Sequence, residues 1–127
     1  MSLSLTRVLA FAAVVEAGTG LVAMIDPAIV VTFVLGVGID GEGTRLGRCF
    51  GIALLALAMA CWPGRQPAAS GSPAVLAMLT YNAVIALYLA FLRTVEHTGG
   101  LLVWPAVGLH AGVALAIGRA RLISRGR

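Results

Sequence analysis

Residues 5–25 form a long apolar run that carries a carboxylate, Glu16, near its middle. About 20 apolar residues in a helix match a hydrocarbon core about 30 Å thick. An ionisable group at the centre of such a segment costs about 2.5–3.5 kcal/mol on insertion scales. A chain that keeps one there must turn it inward and give it a partner. That requirement restricts the fold to a bundle whose other helices supply the partner.

The remaining sequence offers three more runs of similar length, at residues 44–62, 74–93 and 101–118. Between the first two, Asp26-Pro27 stops one helix and starts another. Aspartate is a good N-cap and proline is tolerated at the first helical position. The run that follows ends at Gly36, too short to span, and reads as an interfacial or re-entrant helix over 27–35. Glycines 36, 38, 41 and 43 with Asp40 and Glu42 form a polar loop. Trp62-Pro63-Gly64-Arg65 closes the second run, and Trp104-Pro105 sits in the first turn of the last. Tryptophan favours the membrane interface. The chain therefore reads as one all-α domain over 1–127, an integral membrane four-helix bundle with a basic tail at 119–127. The first run could pass for a secretory leader, but Glu16 interrupts it and no small-residue cleavage pattern follows.

Composition enters as a check. Of 127 residues, 60% are hydrophobic and only 11% charged. Mean hydropathy is +1.00. A soluble domain carries about 25% charged residues, so lipid must cover part of this surface. The net charge is +4 and every basic residue is arginine. The arginines are scattered apart from the tail, which argues against nucleic acid as a partner. Arg7, Arg65, Arg119, Arg121, Arg125 and Arg127 fall on one side of a four-span topology, and Arg45, Arg48 and Arg93 on the other. The positive-inside rule then puts both termini in the cytoplasm, in an inner (plasma) membrane, with the tail against anionic headgroups.

Polar residues mark the middle of three runs: Glu16, Asn82 and His110. Arg48 lies about 7 Å outward of its helix centre by helical rise. We expect Glu16 to contact His110, Arg48 or both. Ala12, Ala13, Thr19, Gly20 and Ala23 share the side of Glu16, and Gly47 and Gly51 form a GxxxG pair; both features allow close helix approach. Tyr81 and Tyr88 share another stripe and suit packing or interface roles. Arg45 suits an interfacial anchor. Two readings of the polar layer follow. A functional one makes Glu16, Arg48, Tyr81, Asn82 and His110 candidates for binding a ligand, a quinone-like molecule or a proton. A structural one makes them interhelical hydrogen bonds that fix register, worth about 0.6 kcal/mol each on average.

Sharper chemistry finds no support. Cys49 and Cys61 on one helix would lie about 18 Å apart, beyond disulfide reach, and read as free thiols. His97 and His110 are about 20 Å apart in helical rise, too far for two haem ligands. Neither clustered metal ligands nor a phosphate-binding glycine loop appears. No catalytic constellation is visible and no cofactor is indicated.

Three segments carry a family resemblance: the first run ending in Asp26-Pro27, the short apolar stretch ending at Gly36, and Arg45-Leu-Gly-Arg48-Cys-Phe-Gly51-Ile-Ala-Leu-Leu-Ala. Together they resemble the DoxX-like group of small four-helix bacterial membrane proteins. That resemblance implies a four-helix bundle and an association with membrane redox chemistry. We expect an accessory or ligand-binding subunit of a larger membrane complex, or a homo-oligomer. Glu16-Ala-Gly-Thr19 resembles small multidrug resistance transporters, whose first-helix glutamate exchanges protons for cationic drugs. There the glycine and threonine stand one position further on and the loops are tighter. The alternative that resemblance implies is a proton-coupled transporter using Glu16 in a homodimer.

Overall fold

The computed structural model describes residues 4–64 and 69–125. Arg65 and Arg127, both used in the charge count, and residues 66–68 of the connection lie outside the described residues, as does the side chain of Arg125. The described residues form helices α1 (Leu5–Ile25), α2 (Pro27–Val30), α3 (Gly41–Ala60), α4 (Pro73–Thr94) and α5 (Val103–Arg125). A π-helical turn, Val31–Leu35, extends α2. Four of these helices are long and apolar enough to cross a membrane.

Capping explains the helix starts. Ser4, Asp40 and Ser72 each accept a hydrogen bond from the backbone N–H three residues on, and Asp26 caps α2 through Ala28 N. The first span has the expected ends. The second begins at Gly41, three residues earlier than the sequence suggests, because Asp40 is the cap. The last begins at Val103, and it runs to Arg125 where the sequence suggests a tail from residue 119. Arg, Ala, Leu and Ile there are all compatible with a helix, and Gly118 alone does not break it.

α1 is the centre of the molecule. It packs antiparallel on α3, while α4 and α5 form a second antiparallel pair, and α1 touches both members of that pair. Glycine sets the α1–α3 spacing. A Cβ on Gly51 would lie 2.5 Å from Met24 N and 2.6 Å from Gly20 O, and one on Gly47 would lie 2.5 Å from Pro27 Cβ. Both glycines of the GxxxG pair therefore face α1 and the start of α2, and no larger residue fits there.

Two apolar clusters hold the halves together. The first joins Val8, Leu9, Ala12 and Ala13 of α1 to Cys61, Val75, Met78, Val113 and Ile117. The second joins Leu89, Leu92 and Val103 to Val34 and Leu35 at the opposite end. At that end the carbonyls of Phe33 and Val34 accept hydrogen bonds from Leu102 N (2.8 Å) and Gly100 N (2.9 Å). These contacts pin the short helix to the α4–α5 loop. Gly36 takes φ +74°, so the chain can turn sharply out of the π-helical turn. A Cβ on Gly100 would run into the Phe33 carbonyl.

Both cysteines are free, Cys49 exposed and Cys61 buried. The Cys61 thiol donates to Ala74 O at 3.3 Å and ties the end of α3 to the start of α4.

Candidate functional site

Between the two apolar clusters lies a polar layer. Glu16 of α1 and Asn82 of α4 are each only 1% exposed, so this layer is closed to solvent. His110 reaches it from α5, with 13% of its side chain accessible. Helical periodicity puts Glu16 one turn from the buried Ala12, Ala13 and Gly20, on the covered face of α1. Asn82 shares its face with the buried Met78 and Ala86 in the same way.

The hydrogen bonds run in one direction. Asn82 Nδ2 donates to the Met78 carbonyl one turn back at 2.9 Å. That leaves Asn82 Oδ1 as the acceptor, 2.9 Å from His110 Nδ1. A pairing of that kind requires the proton on Nδ1, so the backbone of α4 fixes the tautomer of a ring on α5. Glu16 Oε1 lies 3.7 Å from the same Nδ1, beyond hydrogen-bond length but within ion-pair range. Tyr81 approaches the Glu16 carboxylate with its hydroxyl. The Tyr81 ring also packs edge-on against the His110 ring, with centroids 5.8 Å apart. Glu16 Oε2 is buried and has no hydrogen-bond partner.

Four of the five expected residues therefore meet: Glu16, Tyr81, Asn82 and His110. Arg48 does not join them. It is exposed, because α3 turns Gly47 and Gly51 toward α1 and Arg48 follows Gly47 by about 100° of helical rotation. α3 packs on α1 and α2, so an arginine there has no path to His110. Contact of Glu16 with His110 is present, and contact with Arg48 is not. Arg45 pairs with Glu42 at 3.7 Å, with both side chains open to solvent. An exposed pair of that kind adds little stability. Tyr81 and Tyr88 separate in role: Tyr81 is half-buried in the layer, whereas Tyr88 is 54% exposed.

The Met78 carbonyl that orients Asn82 escapes sequence reasoning. A backbone acceptor leaves no trace in side-chain type, although its position four residues before a buried asparagine is the register such a bond requires. Among the described residues no group of three or more His, Cys, Asp or Glu could hold a metal.

The layer offers an ionisable pair and one unpartnered carboxylate oxygen. An enclosed carboxylate with one free oxygen needs a proton or a cation to offset its burial. The imidazole beside it, with Nδ1 committed to Asn82, keeps Nε2 for proton exchange. Compared with protein-family models, curated proteins and solved structures, the chain matches none.

Proposed function

We propose that the chain spans the inner (plasma) membrane four times with both termini in the cytoplasm, and serves there as an accessory or ligand-binding subunit. In this reading the Glu16–His110 pair holds a proton, or the polar end of a small ligand, at mid-depth. One observation carries it: a carboxylate 1% exposed, with Oε1 3.7 Å from an imidazole whose tautomer is fixed and Oε2 without a partner. Register alone does not need an unpaired oxygen, since an amide would serve a structural role with both its polar atoms bonded. The resemblance of the first span through Asp26-Pro27, the stretch ending at Gly36 and residues 45–56 to the DoxX-like group is what suggests a membrane redox complex as the setting.

Transport by a homodimer built on Glu16 would need that carboxylate open to water between two chains. Its enclosure by α4 and α5 of its own chain favours the subunit reading.

Two measurements test the proposal. Native mass spectrometry of gently extracted membranes should find the chain within a larger assembly; a chain that always emerges alone defeats the subunit reading. Infrared spectroscopy of the purified chain should show a carboxyl band that responds to pH and is missing from Glu16→Gln. Identical spectra for the two proteins would defeat the proton-holding reading.

A further inference from the structure

A second feature lies away from the polar layer. A groove of about 460 Å³ runs between α1 and α5, lined by Arg7, Phe11, Gly108, Gly112 and Ala116 among others. Apart from Arg7 its named walls are apolar or small. Gly108 and Gly112 form its floor, and a Cβ on either would meet nothing within 4 Å. The space above them belongs to no part of the described chain. Arg7 closes one end. Arg119 lies two helical turns beyond Gly112, on the face of α5 that continues the floor, and it is exposed at that same end. Among the described residues neither guanidinium has a carboxylate within ion-pairing distance. Asp26, Asp40, Glu42 and Glu96 all lie at the opposite end of the bundle.

We propose that this groove binds an anionic phospholipid, with one acyl chain on Gly108, Gly112 and Ala116 and the phosphate held by Arg7 and Arg119. The shape fits a flexible apolar chain, and the paired cations at one mouth fit an anionic head at headgroup depth. Arginine presents a planar fork of donors suited to phosphate oxygens. A second copy of the chain fits less well. Two-fold symmetry about the membrane normal would bring Arg7 and Arg119 of both copies together, and such like-charge juxtaposition opposes docking. The proposal does not involve the Glu16 layer and has in common with the proposed function only the membrane setting.

The test is native mass spectrometry of the purified chain in mild detergent with phosphatidylglycerol or phosphatidylcholine of identical acyl chains. Wild type should retain one phosphatidylglycerol in preference to phosphatidylcholine. Arg7→Gln and Arg119→Gln should each lower phosphatidylglycerol retention about fivefold and phosphatidylcholine retention by less, because the choline cation already offsets the phosphate that both lipids carry. Gly112→Leu fills open space and should lower retention of both lipids; Gly108→Leu replaces it if that variant does not fold. Arg45→Gln, at the far end, should change nothing. Equal retention of the two lipids by wild type, or unchanged phosphatidylglycerol binding by the folded groove-filling variant, would overturn the proposal. So would a dimer that Gly112→Leu dissociates, which would give the groove to a second copy.

Discussion

Asn82 is the residue on which the polar layer turns, because it takes its own orientation from a backbone carbonyl and passes it to His110. Asn82→Leu should leave the Nδ1–H without an acceptor and cost about 1–3 kcal/mol, read as unfolding free energy in detergent micelles. Glu16→Gln should behave oppositely. Oε2 has no bond to lose, so stability should stay within about 1 kcal/mol of wild type while proton exchange disappears. A large loss of stability in Glu16→Gln with exchange intact would assign Glu16 to register. Glu16, Asn82 and His110 are legible in sequence because a polar side chain in mid-span is costly wherever it faces lipid. Arg48 is not, because depth along a helix says nothing of direction around it. Only the glycine seam, which turns Arg48 outward, settles that. Tyr81 is legible as a candidate, but its partner is not: two tyrosines seven apart look alike until a neighbouring helix covers one of them.

The elements differ in how tightly they are held. α1 and α3 meet at Gly20 and Gly51, where an added methyl group would strike backbone atoms. Gly51→Ala should therefore cost about 1–3 kcal/mol. Gly18, on the same helix as Gly20, has open space where a methyl group would go, with nothing within 4 Å of it. Gly18→Ala should be neutral or stabilising by up to about 1 kcal/mol. Thermal unfolding of the two variants side by side separates seam from surface. The short helix depends on backbone hydrogen bonds to the α4–α5 loop. Gly100→Ala should break them and speed amide exchange at residues 31–36, with the long helices unaffected; unchanged exchange would show that the contact does not hold the short helix in place. Helix positions are readable from hydrophobic length and capping residues. The pinning of the short helix to the α4–α5 loop is not, because a hydrogen bond between two main chains needs no particular side chain. Gly36, Gly99 and Gly100 are its only trace.

At the scale of the whole molecule, the up-and-down order places the end of α3 and the start of α4 with the start of α1 and the end of α5, and the α4–α5 loop opposite them. The arginine distribution then predicts which side faces the cytoplasm. With Cys49 and Cys61 replaced by alanine, Glu96→Cys should react with a membrane-impermeant thiol reagent in intact cells, and Ser70→Cys should react only after lysis. The reverse pattern would invert the proposed topology. The number of long helices is legible from hydropathy alone, but their pairing is not, since apolar faces of equal greasiness do not say which neighbour they prefer. The central carboxylate is sheltered by helices of its own chain. A solitary copy in a lipid nanodisc thus keeps its buried ionisable pair, and visiting proteins would encounter hydrocarbon, a cationic collar at one end and acidic side chains at the other. Recruitment and titration are consequently separable traits, open to independent alteration.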